Sequence, residues 1–594
     1  MNAGVDRMRR CPCVPGLGLR PRPERRAAGA RAALIVAFLA LLPAARAEAP
    51  FPPAQAVVAR EAMVVAQEKR AAHVGIEVLR KGGNAVDAAV AVGFALAVTH
   101  PQAGNLGGGG FMLIRLAEGA TRVIDYRETA PRAATRDMFL DERGEYDPRK
   151  SRDSGLAVGV PGTVAGLALA LEKYGSGKFT LSDLIAPAVA LARDGIPVGD
   201  ELADSLPRAA VRLARYPASA KIFLKDGIAP LAAGDRLVQA DLARALETIA
   251  REGPRGFYDD AIAQKITESV RGAGGVLDRA DLRDYRALER TPLTGSYRGH
   301  EIISVPPPSS GGVHLIEMLN VLEGYGLETL GARSPSALHL MIEAMKRAYA
   351  ERAEFLGDPD RVDVPVERLI SKSHAAELRK SIDPGHATPA SALRAGGAAD
   401  HEGDNTTHFS VIDRLGNAVS NTYTLNFNYG LGLVAEGTGI LLNNELDDFA
   451  AKPGAPNAFG LVGGEANAPG PGKRPLSSMS PTIVVKDGRP LLVTGSPGGS
   501  RIITIVLQVI LDVLDFHEDI AQAVGAPRVH DQWLPDVVGA EAGFAEDTLR
   551  GLEALGHTVR AGGTWGSANS ILVAPGAVTG AADPRTRGGA AAGE

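Results

Sequence analysis

The chain has 594 residues, of which 45% are hydrophobic and 22% are charged, an ordinary composition for a globular protein with a sizeable core. This length corresponds to several domains' worth of core, although large α/β proteins carry as much in one continuous unit. The formal net charge is −5, and no basic stripe follows residue 47. Nucleic acid and an anionic membrane surface are therefore poor candidates as partners.

The first 47 residues have the pattern of an export signal. Arginines from Arg7 to Arg31 precede the apolar run AALIVAFLALLP, and a small-x-small cleavage pattern ends at Ala47. The run is too short to span a bilayer comfortably, so we expect residues 1–47 to be removed, with a retained membrane anchor as the alternative. Removing its nine arginines and two acidic residues from the 64 basic and 69 acidic residues leaves a net charge of −12.

Several kinds of site find no support in the sequence. Both cysteines, Cys11 and Cys13, lie in the signal segment, so the mature chain is expected to have no disulfide, thiolate nucleophile or cysteine metal site. There is no HExxH, EF-hand loop or GxSxG elbow. The glycine run GNLGGGG lacks the lysine of a phosphate loop and precedes a strand, so it predicts a turn where backbones approach closely.

The mature chain begins with helical patterns. AQEKRAAHVGIEVLRKGGN predicts a helix that stops at Gly82 and Gly83. Asn84 then caps AVDAAVAVGFALAV, which is apolar on nearly every side and predicts a helix buried inside the protein. After the glycine run we expect strands at FMLIRL and TRVIDYRE, then the helices TVAGLALALEKY, QADLARALETIARE and HLMIEAMKRAYAERAEFL. From Ser381 to Asp404 the chain is small, polar and aperiodic, which predicts an exposed linker.

A polar hairpin follows the linker. TTHFSVID alternates, so Thr406 and His408 share one strand face, and AVSNTYTLN alternates again after the turn formers of DRLGN. A turn centred near Leu415 pairs positions whose numbers sum to 830, which sets Thr424 opposite Thr406 and Asn426 one diagonal step away. The sequence therefore predicts a cluster of polar side chains at the open end of this hairpin.

Thr406 has several interpretations. Cleavage between Asn405 and Thr406 would create an α-amine with a pKa of roughly 7.7 to 8.0, a base that belongs to the nucleophile itself. Alternatively, Thr406 is only a β-forming residue, and NTT also fits a glycosylation sequon. A third interpretation has His408 as the base without cleavage, although nothing in the sequence orients its imidazole.

Three further motifs lie downstream. Glu445 and Asp448 are three residues apart in NNELDDF, so one helical turn would point both carboxylates the same way, toward an ammonium group. The Ser477 and Ser478 hydroxyls end a proline-bounded loop before the strand PTIVV, and the adjacent glycines of GSPGGS can turn two N–H groups toward one point, as an oxyanion hole requires. Taken one at a time, the acidic pair also fits a solvated turn, the serine pair a helix cap and the glycine pair a plain glycine turn.

Taken together, these motifs closely resemble a known family. NTTHFSVID, TYTLN, NNELDDFAAKPG, PLSSMSPTIV and TGSPGGSRI, in that order, resemble the small subunit of the γ-glutamyltransferases, also called glutathione hydrolases, of the N-terminal nucleophile hydrolase superfamily. DYRETAP, ATRDMFLD, GGNAVDAAVA and the glycine run before FMLI resemble their large subunit. The resemblance extends from about Ala56 to Arg585.

The resemblance implies a role for each matching residue. Thr406 is implied as nucleophile and new N-terminus, with Thr424 supporting it. The matching oxyanion-hole residues are Gly498 and Gly499. The residues matching those that hold the donor's α-carboxylate are Arg127, Ser477 and Ser478, a set suited to bidentate binding. The residues matching those that hold its α-amino group are Asn426, Glu445 and Asp448.

One position departs from the family pattern. Bacterial relatives commonly carry a tyrosine in the loop after the acidic motif, where it hydrogen-bonds to the asparagine matched by Asn426 and closes a lid. This chain has Phe459 in the corresponding KPGAPNAFGLVGG. We therefore hypothesise a looser lid that excludes water less well in favour of an amine acceptor.

The implied fold is α+β, a four-layer αββα sandwich of two subunits from one precursor, a large subunit of residues 48–405 and a small one of residues 406–594. The implied reaction moves a γ-glutamyl group from glutathione to water or to an amino-acid or peptide amine, with no cofactor and no metal, in the periplasm or outside the cell. Two alternatives remain, a related β-lactam (glutaryl or cephalosporin) acylase and an exported binding protein whose Thr406 is inert.

Overall fold

Two antiparallel seven-stranded sheets, called here sheet A and sheet B, form the centre of the molecule. The computed structural model describes residues 51–393 and 406–594. The strands of sheet A, in spatial order, are Ala56–Ala59, Ala577–Ala581, Ser570–Ala574, Arg489–Thr494, Thr482–Lys486, His300–Ser304 and Leu293–Tyr297. Those of sheet B are Ala590–Gly593, Met63–Ala66, Thr407–Ile412, Ala418–Thr424, Gly109–Arg115, Thr121–Asp125 and Leu288–Arg290.

Helices cover the outer face of each sheet. The helices on the side of sheet B are Lys69–Arg80, Ala85–Thr99, Thr163–Tyr174, Leu181–Asp194 and Ala240–Glu252. Those on the side of sheet A are Gly311–Leu322, Pro335–Phe355, Ile502–Leu514 and Ile520–Gly525. The order of layers is helix, sheet, sheet, helix, which confirms the predicted α+β fold with four αββα layers.

Shorter elements connect these layers. The remaining α-helices are Pro148–Arg152, Asp200–Ala214, Pro217–Phe223, Arg255–Tyr258, Ala261–Gly272, Arg279–Asp284, Leu327–Leu330, Val366–Leu369, Lys372–Lys380, Ala390–Leu393 and Glu546–Ala554. The 3₁₀ helices are Gly155–Ala157, Glu445–Asp448, Glu465–Asn467 and Gly499–Arg501. The small sheets are Ile196–Pro197 with Arg236–Leu237, Leu224–Lys225 with Ala229–Pro230, Val434–Ala435 with Ile440–Leu441, and Val529–His530 with Val538–Ala540 and Val559–Ala561.

Alternation along the strands creates two cores. Phe111 and Leu113 of sheet B pack with Ile483 and other apolar residues of sheet A in the core between the sheets. Their neighbour Met112 belongs to the second core, between sheet B and its helices. Each such buried side chain contributes about 1.5 to 3 kcal/mol of transfer free energy, so both faces of sheet B are strongly specified.

The predicted helical boundaries are confirmed at the start of the chain. The first helix ends at Arg80, and Gly82 follows it with a φ of +85°. Asn84 caps the helix Ala85–Thr99 through a capping box with Asp87. Every residue of that helix is buried, because it lies between sheet B and a second helical layer, which explains its apolar residues on all sides.

The hairpin register is also confirmed. Thr407 pairs with Tyr423 and His408 with Thr422, so paired numbers sum to 830 as predicted. The first strand starts at Thr407, one residue later than the alternation indicates. Both strands lie at the centre of sheet B and are buried along their whole length, so the end of the hairpin at Thr406 is held in one position.

The glycine run is a place of close backbone approach, as predicted. A Cβ at Gly108 would lie 2.0 Å from the carbonyl oxygen of Thr424, and one at Gly107 would lie 2.1 Å from that of Leu441. Glycine is the residue that allows backbones to come this close. The run therefore seats the end of the hairpin against a neighbouring strand of sheet B.

The prediction of an exposed linker from Ser381 to Asp404 is wrong at Ala390–Leu393. Residues Ala390–Leu393 form a short helix, and the buried Ala390 donates its N–H to Asp536 and accepts a hydrogen bond from Trp533. Small apolar residues in this polar stretch fit against a tryptophan that is distant in sequence. Residues 394–405, including the proposed cleavage bond at Asn405, lie outside the described residues, as does the export segment 1–47.

Within the described ranges 51–393 and 406–594, no helix combines the length and the apolar composition needed to cross a bilayer.

We predict that Gly110→Ala destabilises the fold by about 1 to 3 kcal/mol, the usual cost of overpacking. Its Cβ would lie 2.4 Å from the Thr422 carbonyl oxygen. Urea unfolding measures the change. The control is Gly272→Ala, at a helix end where nothing lies within 4 Å of the added Cβ, and it should be neutral or slightly stabilising. Equal unfolding midpoints for the two variants would contradict this account of the glycine run.

Candidate active site

Thr406 lies directly before the first strand of the hairpin, at its open end. Its hydroxyl donates to Thr424 Oγ1 at 3.4 Å, and Thr424 Oγ1 accepts the backbone N–H of Asn426 at 2.9 Å. Thr406 is 7% exposed and Thr424 is 3% exposed. The three polar residues predicted from the register therefore meet, and the Thr406 hydroxyl is oriented by a group whose own position is set by the backbone.

A narrow cavity of about 20 Å³ opens at Thr406. Its lining contains nine of the residues singled out in the sequence: Thr406, Thr424, Asn426, Glu445, Asp448, Phe459, Ser477, Ser478 and Gly499. Arg127 lies behind the acidic pair, Gly498 precedes Gly499, and Asn405 is outside the described residues. This volume holds about one water molecule, so a larger ligand needs the surrounding groups to move apart.

Gly499 lines the cavity next to Thr406, and Gly498 precedes it in the chain. Gly498 has a φ of +138° and Gly499 a φ of +55°, both in the region that favours glycine. Gly499 starts the short 3₁₀ helix that continues into Ile502–Leu514. The first N–H groups of a helix lack partners within the helix and carry a partial positive charge. This end of the helix is thus a suitable place to stabilise a developing oxyanion.

The acidic turn surrounds a buried guanidinium. Glu445 and Asp448 lie on one 3₁₀ turn, as their spacing predicts. Both carboxylates contact Arg127, a pairing that the spacing did not predict. Arg127 Nη2 is 2.6 Å from Asp448 Oδ2, and Nη1 is 3.7 Å from Glu128 Oε2. Arg127 is fully buried. Residues from distant parts of the chain therefore form one charged cluster at the cavity.

The cluster has more carboxyl groups than guanidinium groups. Burial raises the pKa of Glu445 to about 8, although Arg127 opposes this shift. Burial also raises the pKa of Asp448, and it raises that of Glu128 well above its ordinary value, with Glu445 adding to the effect. Three carboxyl groups surround one guanidinium, and a further cationic group bound in the cavity would favour their ionised forms.

Arg352 is a second buried cation that sequence reasoning did not identify. Its Nη2 donates to Ser478 Oγ at 3.2 Å and its Nε to Ser310 Oγ at 3.0 Å. Burial lowers the pKa of Arg352 to about 10. A signal was present in the sequence, since the helical pattern HLMIEAMKRAYAERAEFL has charged residues on several sides and the helix Pro335–Phe355 is buried over most of its length.

The segment 451–463 covers the cavity. Asn457 Nδ2 donates to Asp448 Oδ1 at 3.3 Å, and the Ala458 N–H donates to Asp447 Oδ2 at 3.0 Å. Phe459 is 6% exposed and packs edge-to-face on Phe427, with ring centroids 6.0 Å apart. An aromatic contact thus holds Phe459 in this lid.

His408 is directed away from the Thr406 hydroxyl. Its Nδ1 lies 2.9 Å from Thr422 Oγ1 and its Nε2 lies 3.0 Å from Ser410 Oγ. Burial lowers the pKa of His408 to about 3. The interpretation of His408 as the base is therefore wrong in its geometry, and the side chain instead connects polar groups of the inter-sheet face.

Comparisons with known proteins agree with this fold. A family model for gamma-glutamyltranspeptidase matches residues 71–593. The glutathione hydrolase proenzyme of Escherichia coli (strain K12) is 54% identical over 532 residues, which cover 89% of this chain and 91% of that protein.

Two solved structures are also similar. Cephalosporin acylase from Bacillus halodurans has a TM-score of 0.80 at 27% identity and covers 92% of this chain and 98% of its own. The gamma-glutamyltranspeptidase of Helicobacter pylori has a TM-score of 0.54 at 46% identity and covers 57% of this chain and 96% of its own.

Two facing antiparallel sheets between helical layers, with a threonine where a central strand begins, define the class of N-terminal nucleophile hydrolases. Within that class, the chain belongs to the gamma-glutamyltranspeptidase family.

We predict that Asp447→Ala loosens the lid. The buried Asp447 carboxylate accepts from Ser151 Oγ at 2.5 Å, Tyr146 OH at 3.0 Å and the Ala458 N–H. Unsatisfied buried donors cost about 1 to 3 kcal/mol each, so we expect lower stability and faster proteolysis within 451–463. Limited proteolysis with mass spectrometry locates the cuts.

The control for this experiment is Asp137→Ala, whose side chain is 73% exposed. Equal cleavage rates in the two variants would show that Asp447 does not hold the lid.

Proposed function

We propose that the chain is a γ-glutamyltransferase and glutathione hydrolase. It cleaves itself between Asn405 and Thr406 and then transfers the γ-glutamyl group of glutathione or a similar compound to water or to an amine. The observation that carries this proposal is the position of the Thr406 hydroxyl in one cavity with Ser477, Ser478 and the acidic pair beside Arg127. It is supported by the 54% identity to a glutathione hydrolase proenzyme.

The proposed nucleophile is Thr406 Oγ1. Cleavage gives Thr406 a free α-amine that accepts the hydroxyl proton as the oxygen attacks the γ-carbonyl carbon of the donor. The amide C–N bond then breaks, the leaving amine takes that proton, and a γ-glutamyl ester remains on Thr406. Thr424 acts by orienting the hydroxyl. Water or an acceptor amine attacks the ester and restores Thr406.

The negative oxygen formed in both steps is assigned to Gly498 and Gly499. Two backbone N–H donors at such a position stabilise a tetrahedral intermediate, each by about 3 to 4 kcal/mol. The left-handed conformation of these glycines and the helix that follows support the assignment.

The donor's free α-amino and α-carboxylate groups are assigned to opposite ends of the charged cluster. Arg127, Ser477 and Ser478 would hold the carboxylate, and Asn426, Glu445 and Asp448 would hold the ammonium. Arg127 contacts Glu445 and Asp448 directly in this structure. The bound donor would thus place its carboxylate beside the Arg127 guanidinium and its ammonium beside the Glu445 and Asp448 carboxylates.

The proposed precursor separates into residues 48–405 and 406–594, which stay associated. Support comes from the sheets, since each contains strands from both ranges. In sheet B, Met63–Ala66 and Gly109–Arg115 flank the hairpin strands Thr407–Ile412 and Ala418–Thr424. Cutting one bond outside these strands removes none of their hydrogen bonds.

We further propose export of the protein to the periplasm or the cell exterior, with loss of residues 1–47. The arginine-rich start and short apolar run of the sequence support this proposal. The chemistry assigned above uses hydroxyl, amine, guanidinium and carboxylate groups of the chain itself, with no cofactor.

The alternative activity is that of an acylase, since a cephalosporin acylase shares the fold. The test compares γ-glutamyl-p-nitroanilide with glutaryl-p-nitroanilide, which lacks only the α-amino group. We predict a preference of at least about 100-fold for the γ-glutamyl substrate, because each unpaired buried carboxylate costs about 1 to 3 kcal/mol. Preference for the glutaryl substrate would assign the protein to the acylases, and hydrolysis of neither would favour an inert binding protein.

Donor binding should depend on pH through Glu445. Its pKa is raised to about 8, so the side chain is neutral at low pH and becomes an anion that attracts the donor ammonium as the pH rises. We predict that the donor KM falls about tenfold between pH 6.5 and 8.5 in the wild type.

The variant Glu445→Gln should show a flatter profile. The donor's own amine titrates identically in both experiments, so the comparison isolates Glu445. If the Gln variant has the same fall in KM, the assignment of Glu445 to the ammonium is incorrect.

The looser-lid hypothesis makes a separate prediction. Phe459→Tyr adds a hydroxyl near Asn426, and one hydrogen bond there should raise the ratio of transpeptidation to hydrolysis about three- to tenfold. Phe516→Tyr, at a half-buried site outside the cavity lining, is the control. An unchanged ratio in Phe459→Tyr would remove the hypothesis.

A further inference from the structure

Three helices on the side of sheet A bring metal-ligating side chains together outside the candidate active site. The three residues are Glu317 of Gly311–Leu322, Glu351 of Pro335–Phe355 and His374 of Lys372–Lys380. Each offers one ligand atom, and these atoms all lie within 4.8 Å of one another. The lining of the cavity at Thr406 does not include any of them, so the proposed γ-glutamyl transfer does not account for this group.

Two members of the group are buried acids. Glu317 is 1% exposed and Glu351 is 6% exposed, and acidic side chains are rarely buried this deeply without a partner. Two carboxylates held this close repel each other, and a cation between them removes the repulsion. The Arg368 guanidinium is 3.5 Å from Glu351, but its side chain is 43% exposed, and within the described ranges it forms an ion pair with that acid alone.

The Glu317 carboxylate has one oxygen held and one available. His314, on the same helix, donates from Nδ1 to Glu317 Oε2 at 2.7 Å. Glu317 Oε1 receives no hydrogen bond from a donor among the described residues. Carboxylates that bind metal ions are commonly oriented by such a second contact. Glu317 is therefore arranged as a ligand, with its orientation fixed through one oxygen and the other left to bind an ion.

His374 completes the group from the third helix. Its Nε2 donates to Glu351 Oε2 at 2.7 Å, and its backbone N–H donates to Ser371 Oγ, the cap of the helix, at 3.1 Å. The His374 side chain is 14% exposed, more than either acid. A small ion can therefore reach the imidazole from solvent and then the two carboxylates.

A second cluster of histidine and glutamate differs in its charge balance. In that cluster, His339 Nδ1 is 2.8 Å from His557 Nε2, and Glu343 is the neighbouring acid. Both oxygens of Glu343 are already used, Oε2 by Arg347 Nη1 at 2.6 Å and Oε1 by the Thr388 N–H at 2.9 Å. The Arg347 guanidinium already balances the acid, so this second cluster is less suited to a metal ion.

We propose that Glu317, Glu351 and His374 bind one divalent transition-metal ion, and that this ion is Zn²⁺. Carboxylate oxygen and imidazole nitrogen at about 2.0 to 2.2 Å are ordinary zinc ligands, and water would complete a fourfold site. The imidazole favours Zn²⁺ over Mg²⁺ and Ca²⁺, which take oxygen ligands. The proposal does not depend on the proposed γ-glutamyl transfer.

The ion would connect three helices near the active site. On binding, the His374 proton moves from Nε2 to Nδ1, so that Nε2 and the Glu351 oxygen both face the ion. Glu351 directly precedes Arg352, whose guanidinium donates to Ser478 Oγ. The ion would therefore fix the last turn of the helix that carries this guanidinium.

The first experiment measures zinc in the protein. The wild type is stripped with EDTA, loaded with ZnCl2, passed through gel filtration and analysed by mass spectrometry of its metal content, and calorimetric titration gives the Kd. We expect about one zinc per molecule. Since loss of an outer contact alone costs about 10- to 100-fold in affinity, His374→Ala should raise the Kd at least about 100-fold. Glu317→Gln, which keeps the size of the side chain, should do the same.

Two further variants serve as controls. His517→Ala removes a histidine whose side chain is 69% exposed and which lies outside the group, so it should keep one zinc and the wild-type Kd. His557→Gln alters the second cluster and should keep both as well. Thermal unfolding shows whether each variant is folded, and if one of the two ligand variants is not, the other still provides the test.

Three results would overturn the proposal. The first is a loaded wild type without zinc, or folded ligand variants that keep the wild-type Kd. The second is zinc that is lost from His557→Gln but kept by His374→Ala, which would place the ion in the second cluster. The third is tighter binding of Mg²⁺ than of Zn²⁺ in the same titration with MgCl2.

Discussion

The register of the hairpin is the constraint on which the site depends. Strand residues alternate between faces, so a slip of one position would turn Thr406 away from Thr424 and toward the helical layer. The slip is prevented because Phe409 and Val411 are buried in the core below the helices while Ser410 donates to the backbone of Asn569 on the other side. Packing energy on both faces of sheet B therefore fixes the position of one hydroxyl.

Charge is the second organising principle of the molecule. Arg127 and Glu128 come from the segment that follows the strand Thr121–Asp125, whereas Glu445 and Asp448 come from a turn more than 300 residues later, separated from Arg127 by 318 and 321 positions. A buried ion cluster of this kind is weak support for stability, because desolvation cancels much of its attraction. Its presence is better explained by binding a zwitterion.

The sequence allowed much of this to be predicted where the signal is local. Alternation determined the hairpin pairing, the Asn84 cap marked a helix start, and the spacing of Glu445 and Asp448 placed both on one turn. The contact of Arg352 with Ser478, 126 positions away, could not be foreseen, nor could the docking of Ala390 on Trp533. Such contacts, like the cavity at Thr406, arise only when distant segments pack together.

The most direct test of the account is the intact mass of the purified wild type beside that of Thr406→Ala. The account predicts two chains in the wild type, the smaller beginning at Thr406, and one uncut chain in the variant, because the variant lacks the hydroxyl that attacks the preceding bond. A folded wild type that remains one chain would contradict it, since Thr406 would then have no free amine to act as its base.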